Sequence, residues 1–184
     1  MCGRAQNLDS SRALDQFLAS VERRALVMAR TATGDNDEAL DLVQDAMLRL
    51  VKHYSAQPAA EWGPLFHRIL QSRIRDWYRR TQVRNRLRVW FSRRDADECG
   101  DIIEQQPHHN PGPDVSMASN QAIVALEAGL HKLPLRQQQA FLLRVWEGMN
   151  VAQAAHAMRC SEGSVKTHYF RALRSLRESL EDYW

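Results

Sequence analysis

Lysine, cysteine, glycine and proline are all scarce: the 184 residues hold 3 Lys against 22 Arg, 3 Cys, 8 Gly and 6 Pro. Cys2, Cys99 and Cys160 are too few and too scattered for a disulfide framework, and they form no Cys-x-x-Cys pair of the kind that holds zinc. Low Gly and Pro exclude a collagen-like or low-complexity chain. No apolar run approaches the roughly 18 residues of a membrane span, and the stretch from Met1 to Arg12 is polar, so the expectation is a cytoplasmic protein without membrane insertion. The phosphate-binding GxxxxGK[ST], the metalloprotease HExxH and the nucleophile elbow GxSxG are all missing. No enzyme, catalytic residue, metal or cofactor is therefore expected. What is present is 44% hydrophobic and 26% charged residues, enough for a folded core of one ordinary domain or two small ones.

The net charge of +3 conceals a strong segregation. Between Phe66 and Arg94 lie ten arginines and a single acid, Asp76, for a local charge of +9. A genome rich in G and C accounts for Arg over Lys across the whole chain, but not for this clustering. A dense Arg stripe is the electrostatic footprint of a surface that neutralises phosphates. From Asp95 to Asp114 there are six acids and no Lys or Arg, with Pro107, Pro111 and Pro113 interspersed. Such a segment cannot bury enough apolar surface to offset its ordering entropy, so it reads as a linker over 95–118. Cys99, His108 and His109 fall inside it. Two lobes follow, 8–94 and 119–184.

Apolar spacing is helical throughout, with no period-two pattern, and the fold class is all-α: two small helical domains joined by a flexible acidic linker. Leu14, Phe17, Leu18, Val21, Ala25 and Met28 line a first helix that Gly34 ends. Asp35 and Glu38 form a capping-box pattern opening a second helix through His53, whose apolar face is Leu42 or Val43, Ala46, Met47, Leu50 and Val51. Ser55 to Gly63 reads as a loop, and Pro64 as the first turn of a third helix buried along Phe66, Ile69, Leu70, Ile74, Trp77 and Tyr78. Its opposite face carries Arg68, Ser72, Arg75 and Arg79, without the Glu partners of an ordinary solvated face. Beyond Trp77 the arginines continue, and Val83, Leu87, Trp90 and Phe91 extend the helical spacing to about Phe91. After the linker, Ile123, Leu126, Leu130 and Leu133 mark another helix, and Gln138, Phe141, Leu142 and Val145 the next, up to Gly148.

The C-terminal end has the spacing of a helix-turn-helix. Asn150 caps a helix from Val151 to Met158, Arg159 and Cys160 turn the chain, and Ser161 caps a last helix to about Leu180. Val165, Tyr169, Ala172, Leu173, Leu176 and Leu180 share its inner face. Lys166, Thr167, Phe170, Arg171 and Arg174 share the outer one, where cations serve phosphates and guanine, and Thr167 and Phe170 a thymine methyl. Phe170 has a second reading, as a contact to the other lobe. Arg159 stands at the turn, where it either takes a left-handed conformation costing about 1 kcal/mol or rearranges the turn.

The run Arg68-Ile69-Leu70-Gln71-Ser72-Arg73-Ile74-Arg75-Asp76-Trp77-Tyr78-Arg79-Arg80 resembles the R-I-a-r-N-l-a-i-D-y-l-R-R signature of region 2 in extracytoplasmic-function sigma factors of bacterial RNA polymerase. Glu38 to Asp45 is similar to their D-A-E-D-L-V-Q-E segment. Leu133-Pro134, Arg144, Glu147-Gly148, Gly163-Ser164-Val165-Lys166 and Arg171-Ala172 resemble region 4. Ser72, Leu40, Gln153 and Arg159 depart from the pattern. The resemblance implies that Asp41, Gln44 and Asp45 dock core RNA polymerase. It further implies that Arg68, Ser72, Arg75, Arg79 and Arg80 hold strands of the minus-ten promoter element, with Trp62 stacking a flipped base. Ser164, Lys166, Thr167, Phe170, Arg171 and Arg174 are then the residues at the minus-thirty-five element. Implied partners are core polymerase, promoter DNA and an anti-sigma factor. The rival reading, a stand-alone helix-turn-helix regulator, leaves the acidic and arginine-rich faces of the first lobe without a task.

Overall fold

The computed structural model describes the backbone of residues 3–94 and 117–180, and side chains within 11–84 and 123–180. The expected linker lies outside the described residues except for its last two, which open a helix. The order is α1 (Gly3–Thr33), α2 (Asn36–Tyr54), α3 (Ala59–Arg94), α4 (Met117–Lys132), α5 (Leu135–Phe141), a π-helical turn (Leu142–Trp146), α6 (Val151–Met158) and α7 (Glu162–Leu180). All described regular elements are helical, as the spacing predicts.

The first lobe packs α1, α2 and α3 around Leu14, Val21, Ala25, Ala39, Val43, Leu50, Phe66, Leu70 and Ile74. Asp35 caps α2 by accepting from the backbone N–H groups of Asp37 and Glu38. The reciprocal half of the expected box is absent, because the Glu38 carboxylate instead accepts from Trp77 Nε1 at 2.8 Å and ties α2 to α3. The second lobe packs α4 to α7 around Leu130, Leu133, Leu143, Met158, Val165, Ala172 and Leu176. Gly129 lets α4 approach α7 closely: a Cβ there would lie 3.1 Å from Leu176 Cδ2.

The lobes are not separate bodies. Met28, expected in the first core, is buried in the second, and the buried Gln138 side chain donates to the carbonyls of Thr31 and Leu130 at 2.9 and 3.0 Å. Val145, expected inside, is exposed together with Trp146. The π turn explains it: Glu147 N–H reaches back five residues to Leu142 O, and the wider turn shifts the apolar phase. Val51 and Ile123 are likewise exposed rather than buried.

Burial holds His131 below the usual imidazole range; Glu127 and the Thr31 backbone oppose this, while Arg30 reinforces it. A histidine depressed in the folded state contributes stability above its unfolded pKa of about 6.5, and that contribution is lost as pH falls. Thermal midpoints should therefore drop on acidification below about pH 6.5, and His131→Gln should drop less. Equal pH slopes for the two proteins would contradict this.

Candidate nucleic-acid and partner interface

The outer face of α7 is built as the sequence predicts. Ser161 Oγ accepts from Ser164 N–H at 3.2 Å, fixing the start of the helix. Val165, Ala172 and Leu176 are buried, while Lys166, Thr167, Arg171 and Arg174 are exposed and Phe170 is 69% exposed. The alternative role of Phe170 against the other lobe is thereby excluded in this arrangement. Arg174 is engaged with Glu178 at 3.0 Å, an exposed i,i+4 pair worth at most a few tenths of a kcal/mol, so it remains available to another anion. Ahead of the turn, Asn150 and Gln153 complete a capping box at 2.8 and 2.9 Å, so Gln153, a departure from the family pattern, still closes the helix start. Arg159 takes the left-handed conformation, φ 53° and ψ 55°, and the turn keeps its length.

On α2, Asp41 and Gln44 are exposed and share a face with Leu48, which is 69% exposed. Asp45, expected to join them as a free docking acid, is instead committed internally. It pairs with Arg73 of α3 at 2.5 Å and with Arg49 at 3.1 Å, strapping α2 to α3.

Trp62 is the largest correction. It was expected in a loop as a stacking platform, yet it is only 3% exposed. α3 starts at Ala59, before rather than after the expected loop end, with Glu61 N–H bonded to Pro58 O. One turn before Phe66, Trp62 then points into the core, 5.9 Å from the Phe17 ring, and Nε1 donates to Tyr54 O at 3.3 Å. A ring so placed cannot receive a base.

The arginine face of α3 is divided. Arg79 and Arg80 are exposed, and Ser72 is half-buried. Arg68 and Arg75, expected to be free for phosphates, face the second lobe. Arg75 Nη1 donates to Met158 O at 2.6 Å, a carbonyl at the C-terminus of α6 that Arg136 shares at 2.7 Å. Cations are favoured at that negative end of the helix dipole. Burial, with Arg136 and Arg159 nearby, holds the Arg75 guanidinium below its usual range. Arg68 Nη1 lies 3.4 Å from His156 Nε2.

A buried pair that sequence reasoning missed crosses the same junction. His67 Nε2 of α3 and Glu147 Oε2 lie 3.2 Å apart with side chains 4% and 3% exposed, and Arg24 of α1 stands 3.8 Å from the same oxygen. Nothing in the local pattern singles out His67, whose partner Glu147 lies in the other lobe.

Comparison with known proteins decides what these surfaces belong to. The family model described as Sigma-70 region 2 matches residues 17–84, and that described as Sigma-70, region 4 matches 123–176. The chain belongs to the sigma-70 family. The relatives place this sigma factor in its extracytoplasmic-function group. It is 28% identical over 167 residues to an RNA polymerase sigma-E factor of Streptomyces avermitilis, covering 91% of this chain and 84% of that one. It is 26% identical over 149 residues to the ECF RNA polymerase sigma factor SigX of Bacillus subtilis, covering 80% and 73%. In fold it is similar to the sigma factor RpoE of Bartonella quintana, solved with the anti-sigma factor NepR, at a TM-score of 0.62 and 24% identity over 91% of this chain and 96% of that one. Among the described residues of this sigma factor, no helix is long and apolar enough to cross a membrane and no His, Cys, Asp or Glu cluster would hold a metal.

Proposed function

We propose that this cytoplasmic sigma factor binds core RNA polymerase through Asp41 and Gln44 on α2, and directs promoter recognition, strand separation and transcription initiation. The observation that carries the reading is the match of regions 2 and 4, in that order, on one chain. The first lobe, 8–94, takes the minus-ten element through Arg79, Arg80, Arg68, Arg75 and Ser72. The second, 119–184, takes the minus-thirty-five element as duplex through Ser164, Lys166, Thr167, Phe170, Arg171 and Arg174. The chain supplies recognition, and the chemistry of RNA synthesis belongs to the polymerase.

Arg68 and Arg75 meet α6 in the arrangement seen here. The same guanidinia cannot hold promoter phosphates until the lobes part, so polymerase and DNA binding are coupled to opening. An anti-sigma partner, of the kind seen on the Bartonella quintana protein, would act by holding the lobes together or by covering α2. A stand-alone helix-turn-helix regulator accounts for α6 and α7 but gives the region 2 lobe nothing to do.

Asp41→Lys is the test of the docking face. Core polymerase affinity should fall at least tenfold, while binding of duplex minus-thirty-five DNA stays unchanged. Unaltered core affinity would refute the assignment.

A further inference from the structure

Where the turn before α7 meets α3, the lobes leave a shallow cleft, wide open to solvent, of about 670 Å³ lined by Arg68, Ala155, His156, Arg159 and Cys160. A recess of about 190 Å³ adjoins it, sharing Arg68 and Arg159 and adding Arg49, His53, Ser72 and Arg73. Arg68 of the first lobe and Arg159 of the second therefore border both spaces. Asp45 is taken by Arg49 and Arg73, and Asp76 stands 3.8 Å from Arg73. Among the described residues no acid pairs with Arg68 or Arg159. Behind the cleft, Arg75 and Arg136 crowd onto a single carbonyl, and burial together with the neighbouring guanidinia disfavours the charge on Arg75.

The unpaired guanidinium groups of Arg68 and Arg159, one from each lobe, raise a positive potential where the lobes meet, and closing the lobes works against it. An anion in the cleft would reverse the sign of that interaction. Guanidinium forks match phosphate oxygens bidentately, and here they come from two different lobes. Arg68 and Arg159 line both spaces, so an anion with two or more linked phosphates reaches both guanidinium groups while extending from one space into the other.

We infer that the cleft between the lobes binds a small oligophosphate, bridged by Arg68 of α3 and Arg159 of the turn. Binding joins the lobes and so stabilises the closed arrangement. Resting on the functional reading above, the consequence is regulatory: an oligophosphate occupies Arg68 when promoter phosphates do not, and ligand and promoter compete.

The binding itself is tested on the free full-length chain, independently of polymerase. Calorimetric titration with tripolyphosphate at fixed ionic strength, with sulfate as the control anion, should give one site per chain. Small-angle scattering should show a more compact chain at saturation. Arg159→Asn removes the charge while suiting the left-handed turn, and should weaken tripolyphosphate at least tenfold. Arg84→Ala, an exposed arginine of α3 that lines neither cavity, should leave it unchanged. If Arg159→Asn melts abnormally, Arg68→Gln replaces it. ATP in place of tripolyphosphate separates the two sources: tighter binding identifies a nucleotide, equal binding a free oligophosphate. The inference is overturned if tripolyphosphate binds no better than sulfate, or if Arg84→Ala weakens it as much as Arg159→Asn. Either failure leaves core polymerase binding, and the sigma-factor reading, untouched.

Discussion

Replacing His67 by Ala is expected to open the chain. The substitution leaves Glu147 covered by α3 with only Arg24, at 3.8 Å, to balance it. Leaving a buried polar group without its hydrogen-bond partner costs about 1–3 kcal/mol, because Glu147 stays desolvated. Here the group has an escape, since separating the lobes returns Glu147 to water, although it also uncovers Met28. The cost should therefore appear as a shift of roughly ten- to hundredfold toward the open arrangement rather than as loss of the fold. His67 Nδ1 and Glu147 Oε1 have no hydrogen-bond partner even in the closed form, so the junction is incompletely satisfied and suited to reversible opening. The expected signature is a larger radius of gyration by small-angle scattering with helix content retained, and tighter binding of minus-ten single-stranded DNA. A variant as compact as the wild type, with unchanged DNA affinity, would mean that this pair does not hold the lobes.

The second large effect is expected on α7. Lys166→Ala with Arg171→Ala removes two exposed cations from the outer face while leaving Val165, Ala172 and Leu176 in the core. Each well-formed contact to a base edge contributes about 1–3 kcal/mol of discrimination, so affinity for a cognate minus-thirty-five duplex should fall roughly a hundredfold. If both residues meet phosphates instead, the loss is spread over all sequences and the salt dependence flattens by about one unit per contact. Core polymerase binding should survive in either case. Loss of both activities together would indicate misfolding.

How far these surfaces were legible in the sequence depended on whether their environment was local. The outer face of α7 follows from spacing on one helix, and the caps at Asp35, Asn150 and Ser161 follow from side chains that bond their own backbone within three residues. Arg159 was legible as a choice, and the left-handed φ resolves it. Trp62 was misread because Pro64 resembles a helix start, whereas α3 begins at Ala59 and tolerates Pro64 within it. That early start rotates Trp62 onto the Phe66 face. Met28, Arg68, Arg75 and His67 were misread or missed for a different reason. Their partners, on α5, α6 and the π turn, are far away in sequence, and periodicity on α1 or α3 carries no information about what packs across from it. Val145 failed because a π turn breaks the 3.6-residue phase on which the reading rested.

The most direct test is transcription in a defined system. Purified chain and core RNA polymerase, mixed with a library of promoter fragments, should form a complex that initiates from a subset sharing spaced minus-thirty-five and minus-ten elements, and Asp41→Lys should abolish that selection. A chain that fails to bind core polymerase where a known sigma factor binds, yet still binds duplex DNA through α7, would contradict the functional reading and establish the stand-alone regulator instead.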